Sequence, residues 1–174
     1  MPDPPIAIRP GRPADEDALL ALFDEAVAWM IARGRTGQWG DELFSARPEG
    51  RRRVHEMAVH DGLWIAELDG VPVGALIVGA RHPHVHPIDR PERYVELLIS
   101  SRAHAGKDIG GRLVRHADAL AAAAGVPVLR VDCWAGAPSL VAWYERQGFV
   151  RAGTFDYHGW IGQIFEKPVP AAPD

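Results

Sequence analysis

The chain has 174 residues, of which 47% are hydrophobic and 24% charged, so it can bury a sizeable core and is not disordered as its main state. Lys plus Arg total 19 and Asp plus Glu total 23, a formal net charge of −4 that lacks the basic excess of a generic nucleic-acid binder. A single cysteine, Cys133, excludes an internal disulfide or a multi-cysteine zinc site, and no apolar run approaches the roughly 18 residues of a membrane span.

One domain is the default at this length. Residues 1–5 and 168–174 are rich in Pro, Ala and Asp and are predicted as unstructured tails around a domain over 6–167. The first residues hold neither the basic nor the apolar stretch of a signal peptide, and the lone cysteine is compatible with a reducing compartment. A cytoplasmic location is the expectation.

Ile6–Arg9 reads as a first strand, broken by Pro10-Gly11-Arg12-Pro13. Asp15 is the predicted N-cap of a helix in which Leu19, Leu20, Phe23, Val27, Met30 and Ile31 recur at helical spacing, with Gly34 as its stop. Arg35–Asp41 is a loop, and a second helix is expected over Glu49–Val59. Its Arg51-Arg52-Arg53 run reads as a solvated face. Leu63–Leu68 and Val73–Val78 are strands around the hairpin signal Asp69-Gly70. A long loop follows over Gly79–Arg93. Tyr94–Ser100 is a strand, apolar except for Glu96. Gly106–Gly110 is a turn, Arg112–Ala124 a helix, Val128–Cys133 a buried strand and Ser139–Gln147 a short helix. Phe149–Phe155 and Trp160–Glu166 close the chain as an antiparallel pair. The order implies a mixed α/β sheet with helices packed on it.

Two segments carry chemistry. In ISSRAHAGKDIGGRL, from Ile99 to Leu113, a strand enters a glycine-bearing turn that opens a helix. Gly106, Gly110 and Gly111 let a ligand approach the backbone, and their N–H groups with the helix start form an anion site. Lys107 and Arg112 add positive charge. It is neither a Walker A loop nor a dinucleotide fingerprint. The second segment, Val128 to Phe155, ends in Tyr144-Glu145-Arg146-Gln147-Gly148-Phe149.

Together these segments resemble the acetyl-CoA-binding core of the GNAT superfamily of N-acetyltransferases, and the element order resembles its fold from Ile6 to Glu166. The resemblance implies a mixed, mostly antiparallel central sheet with helices on both faces. It implies direct transfer of an acetyl group from acetyl-CoA, as co-substrate, to a primary amine in a ternary complex. It implies cofactor contacts from Leu98, Ile99, Ser100, Gly106, Lys107, Asp108, Ile109, Gly110, Gly111, Arg112 and Ser139. Two departures stand out. The superfamily turn is Gln/Arg-x-x-Gly-x-Gly/Ala, and here Ala105, Asp108 and Gly110 occupy those positions. Asp108 would repel a pyrophosphate unless it points outward. Ala137-Pro138-Ser139 replaces a frequent Asn, with Ser139 as a helix cap.

Tyr144 matches the tyrosine that commonly protonates the departing CoA sulfur, or else it is a core aromatic beside Trp143. Asp132 matches a position where some members carry a catalytic glutamate. Strand alternation puts Arg130, Asp132 and Trp134 on one face, so an Arg130–Asp132 pair is the alternative. Glu96 lies on the strand that lines the superfamily's splayed opening, as an amine-binding group or a base, or as a solvated edge residue. Gln38, Trp39 and Trp134 are candidate acceptor contacts, with core packing as the other reading of Trp39. His82, His84 and His86 alternate in RHPHVHP, but no acidic or cysteine partner lies at ligand spacing. They read as a surface loop, and no metal is expected. Cys133 reads as a buried strand cysteine. Expected partners are a small-molecule or peptide amine, with no nucleic acid and no membrane, and a homodimer left open. The rival is a non-catalytic acyl-CoA-binding or interaction module of the same fold.

Overall fold

The first strand begins where the proline run ends. In a computed structural model that describes residues 5–172, β1 spans Ile6–Pro10, and its partner β2 (Leu63–Leu68) runs antiparallel to it. The strands β3 (Val71–Gly79), β4 (Glu92–Ser100), β5 (Val128–Trp134), β6 (Val150–Tyr157) and β7 (Trp160–Pro168) follow. Hydrogen bonding orders them β1-β2-β3-β4-β5-β7-β6. β4 and β5 run parallel, while β1–β2, β2–β3, β5–β7 and β7–β6 run antiparallel, so the expected mixed, mostly antiparallel sheet is present. The helices are α1 (Glu16–Ile31), α2 (Pro48–Ala58), α3 (Ile109–Ala123) and α4 (Pro138–Arg146). None among the described residues is long and apolar enough to cross a membrane. Residues 1–4 and 173–174 of the expected tails lie outside the described residues. At the other end β7 continues to Pro168, and the Val169 N–H donates to the Pro127 carbonyl at 2.9 Å.

The chain packs as two compact units. The first comprises Met1–Ile77 and Leu97–Leu113. Asp69 and Gly70 both take positive φ (52° and 77°), the backbone that a two-residue β2–β3 hairpin needs to match strand twist. Leu19, Phe23, Val27 and Met30 of α1 meet Val54 and Ala58 of α2 over Ile65, Ala75, Ile77, Leu97 and Ile99. Asp15 occupies the expected N-cap position of α1, but its side chain makes no cap hydrogen bond to the helix. It sits in a 3-10 turn, Pro13–Asp15, where its carboxylate accepts two bonds from Arg9 (2.9 and 2.7 Å) and one from the Arg12 N–H (2.9 Å). A guanidinium fork outcompetes a single helix N–H for a buried carboxylate.

The second unit comprises Val78–Glu96 and Val114–Asp174. Its centre is Arg130, fully buried on β5 and paired with Glu92 of β4 at 2.9 Å and Glu166 of β7 at 3.5 Å. Val85, from the long loop, packs with Tyr94 and Ile164. α4 lays Tyr144 against Phe149 and Phe165 at ring separations of 5.7 and 5.3 Å. Its N-cap is Ala137, with Pro138 in the first turn, so Ser139 lies inside the helix and is not the expected cap. Proline's fixed φ starts the helix one position earlier.

Candidate functional site

In the first unit, the glycine turn hangs between β4 and α3. Ser101 N–H donates to the Val73 carbonyl at 2.8 Å, fixing the end of β4. The 3-10 turn Arg102–His104 that follows is tied to α1, because Glu25 accepts the Ala103 N–H at 2.7 Å and the Ser101 hydroxyl at 3.1 Å. Arg102 lies over the Trp29 ring at 3.9 Å. Gly106 has φ of 86°, and nothing lies within 4 Å of where its Cβ would be, so the backbone there is open to a ligand. α3 begins at Ile109, three residues earlier than its predicted start, and its first helical N–H···O bond runs from Arg112 N–H to the Asp108 carbonyl at 3.0 Å. The N–H groups of Ile109, Gly110 and Gly111 therefore have no intrahelical acceptor, the condition for an anion site.

Asp108 takes the left-handed backbone, φ 55°. Asp is among the few residues with a side chain that tolerate this region. Its carboxylate is folded back on the helix start: a Cβ built at Gly111 would run into Oδ1. α3 can start so close to β3 because Gly74 has no side chain. A Cβ there would meet Ile109 Cγ2 at 2.7 Å and the Ile99 carbonyl at 3.1 Å. Leu98 and Ser100 are half-buried, whereas Ile99 and Ile109 are buried in the core. Lys107 is half-buried and Arg112 exposed. Trp39 packs into the core cluster, 5.1 Å from the Phe23 ring, and keeps partial exposure beside half-buried Gln38.

In the second unit, the parallel register pairs Tyr94 with Arg130 and Val95 with Val131, where the β4–β5 pairing ends. Glu96 and Asp132 are the next residue on each strand. Arg130 turns to Glu92 and Glu166, so the alternative Arg130–Asp132 pair does not form. Asp132 instead accepts a hydrogen bond from the hydroxyl of fully buried Tyr94. Burial raises the Asp132 pKa, while the Tyr94 hydroxyl and the nearby His82 and His84 oppose that rise. Glu96 accepts the Ala80 N–H at 3.0 Å. Tyr144 is buried, and burial, with Cys133 and Asp132 nearby, keeps its phenol protonated far above neutrality. Cys133 is buried, and its thiol is pushed up to about 12, which removes it as a nucleophile at neutral pH. Trp134 ends β5 with its ring over Gly136, and Ser139 is exposed.

Sequence reasoning missed Tyr94. The signal was present: on β4 it shares a face with Glu96 by alternation, but its partner depends on the register with β5. The long loop also holds more order than expected. His82 and His84 stack with centroids 5.4 Å apart, while His86 lies apart, near Gly153. Among the described residues, no group of three or more His, Cys, Asp or Glu is placed to hold a metal.

A family model described as "Acetyltransferase (GNAT) family" matches residues 22–149. A search of curated proteins finds no match. Among solved structures, a PaiA N-acetyltransferase from Thermoplasma acidophilum in complex with coenzyme A aligns with a TM-score of 0.72 at 18% identity, over 94% of this chain and 99% of that one. A ribosomal-protein-alanine N-acetyltransferase from Brucella melitensis aligns with a TM-score of 0.66 at 26% identity, over 93% and 99%. YncA from Salmonella typhimurium, in a structure with acetyl-CoA, aligns with a TM-score of 0.65 at 18% identity, over 97% and 98%.

Proposed function

The chain belongs to the acetyltransferase (GNAT) family, and from that premise we propose that it moves an acetyl group from acetyl-CoA to a primary amine by direct transfer in a ternary complex. The observation that carries this reading is the Tyr94–Asp132 hydrogen bond at the point where β4 and β5 stop pairing. A half-buried carboxylate with a raised pKa accepts a proton from an ammonium group more readily than an ordinary surface carboxylate does. Two similar structures were solved with coenzyme A or acetyl-CoA, which supports the same co-substrate here.

The residues present fit that co-substrate. The N–H groups of Gly106 and of Ile109 to Gly111 would hold the pyrophosphate, with Lys107 and Arg112 offsetting charge. Bound there, acetyl-CoA supplies the thioester. Asp132 takes the amine proton, Glu96 offers a second carboxylate for the cationic acceptor, and Tyr144 gives a proton toward the departing sulfur. Its phenol is held protonated, as a donor requires. Gln38, Trp39 and Trp134 remain candidate acceptor contacts.

A second reading, a non-catalytic acyl-CoA-binding or interaction module, draws on one observation. Asp108 places a carboxylate at the same helix start that would receive the pyrophosphate. Isothermal titration with acetyl-CoA, followed by free-thiol release over a panel of small primary amines and alanine-terminated peptides, separates the two. Thiol release with any amine removes the module, while binding without release removes the enzyme. In the active case Tyr144→Phe should lower turnover by roughly 10- to 1,000-fold with acetyl-CoA affinity kept. Full turnover in that variant would return Tyr144 to a packing role.

A further inference from the structure

We propose that Arg33, Arg35 and Arg102, gathered round the Trp29 ring, form a binding site for an oxyanion: the phosphate or carboxylate group of a small-molecule ligand. The site uses none of the residues assigned to acetyl transfer, and anion binding there does not depend on turnover.

Two segments of the first unit build it. One is the end of α1. Gly34 takes a φ of 66°, and the chain turns back on the helix end. The Gly34 N–H donates to the Ile31 carbonyl at 3.0 Å, and the Arg35 N–H donates to the Met30 carbonyl at 2.9 Å. This is the Schellman arrangement of a glycine-stopped helix, and it returns residues 33 and 35 toward the last turn. The Arg33 guanidinium carbon then lies 4.1 Å from the centroid of the Trp29 ring, and Arg33 Nη1 donates to the Trp29 carbonyl at 3.4 Å. Arg35 reaches the same ring at 5.8 Å. The other segment is the 3-10 turn after β4, which sets Arg102 over that ring at 3.9 Å. The indole is a fixed platform, because half-buried Trp29 packs on the core cluster. All three arginines are exposed to a ligand.

Charge makes this arrangement more than packing. An indole face attracts a guanidinium, but three cations at one ring repel one another. Among the described residues, no carboxylate makes an ion pair with any of the three. Glu25, one turn before Trp29 on α1, is the acidic group that acts on Arg102. Its carboxylate is already engaged by the Ala103 N–H at 2.7 Å and the Ser101 hydroxyl at 3.1 Å. Desolvation lowers the Arg102 pKa, Arg33 and Arg35 lower it further, and Glu25 opposes them. Glu25 thus orients the turn and leaves the cluster with an excess of positive charge. A guanidinium fork matches the geometry of phosphate and carboxylate, so an oxyanion offsets that excess and accepts from the N–H groups that no carboxylate takes.

The patch is confined to three side chains on one ring, in a chain of net charge −4, which suits a single small oxyanion and not a polyanion. Two ligands of the proposed reaction can carry such a group. Acetyl-CoA has a phosphate on its ribose, and Arg102 stands four residues before Gly106 in the glycine turn. An acceptor amine that bears a carboxylate or a phosphate is the other source. The recognition chemistry is the same for both, and the two are told apart by what the arginines discriminate.

The test follows the indole N–H signals of the full chain by NMR, with the Trp29 signal identified by its loss in Trp29→Phe. Inorganic phosphate in low-salt buffer should move that signal saturably in the wild type. In the double variant Arg33→Gln with Arg102→Gln, phosphate affinity at this signal should fall by about tenfold or more. The control Arg51→Gln with Arg52→Gln, on the exposed face of α2, should bind as the wild type does. Titration calorimetry with acetyl-CoA and with dephospho-acetyl-CoA, which lacks the ribose phosphate, tests the first source. KM values for amines paired as carboxylate and primary amide test the second. A preference of about tenfold for the anionic member of one pair, lost in the double variant with kcat kept, identifies the ligand. A Trp29 signal that phosphate leaves in place, or an equal response in the double variant, would overturn the site. So would a wild type that prefers the anionic member of neither pair, which would mean an adventitious ion only. A wild type that releases no thiol with any amine overturns the acetyl-transfer reading alone, because the phosphate and dephospho-acetyl-CoA measurements need no turnover.

Discussion

Asp108 shows how one side chain sets two quantities at once. It holds a left-handed backbone at φ 55° and lays a carboxylate on the start of α3. Glycine would relieve the backbone cost, roughly 1 kcal/mol, and would lose a helix-start carboxylate worth about 0.3–1 kcal/mol. The two nearly cancel, so Asp108→Gly should leave the melting temperature almost unchanged. Acetyl-CoA affinity should rise by roughly tenfold, about 1.4 kcal/mol, as a negative charge leaves the pyrophosphate site. Calorimetry showing no gain would place the carboxylate away from the phosphates. Asp132 gives a prediction in pH. Its folded pKa lies above the ordinary 3.8, chiefly through burial. The folded state then holds this proton more tightly than the unfolded state does. Stability falls as pH climbs from about 4 through the folded pKa. Asp132→Asn should therefore be more stable than the wild type at pH 7 and lose that advantage below about pH 4. Urea unfolding at the two pH values checks this. An equal difference at both would mean that the carboxylate carries no burial penalty.

Between elements, closeness is set by missing side chains and by register. Gly74 of β3 lets Ile109 and Leu113 of α3 sit on the strand, with a built Cβ only 2.7 Å from Ile109 and 3.2 Å from Leu113. Gly74→Ala should force α3 outward and cost about 1–3 kcal/mol by overpacking. Because the glycine turn rides on the same helix start, acetyl-CoA affinity should fall with it. Chemical denaturation and titration calorimetry read the two effects. Unchanged values in both would show that the approach of β3 and α3 is slack. Register explains what alternation could not. Alternation placed Arg130 and Asp132 on one face of β5, but not which would find the other. The parallel pairing of Tyr94 with Arg130 brings Glu92 to the guanidinium and the Tyr94 hydroxyl to the carboxylate.

For the whole chain, a co-substrate that binds only the folded state adds RT ln(1 + [L]/Kd) to its stability. Acetyl-CoA at a hundredfold excess over Kd should stabilise the chain by about 2.7 kcal/mol, seen as a rise in melting temperature. No shift at millimolar acetyl-CoA would oppose both the enzyme and the binding-module readings. The sequence by itself determined the order of strands and helices, the Asp69-Gly70 hairpin, the glycine turn and the motif ending at Phe149. Each of these is written in local periodicity or in turn residues a few positions apart. It also marked Asp132, Glu96 and Tyr144 as residues to watch. Only the tertiary structure decided that the side chain of the N-cap residue Asp15 bonds Arg9 and not the helix, and that Arg130 belongs to Glu92 and Glu166. It alone brought Tyr94, His82 and His84 into one cluster with Asp132. Residues 82 and 132 are fifty positions apart. No local pattern encodes their meeting, which depends on how β4 and β5 pair and on a loop pinned by two arginines, Arg81 and Arg130, to one carboxylate, that of Glu92.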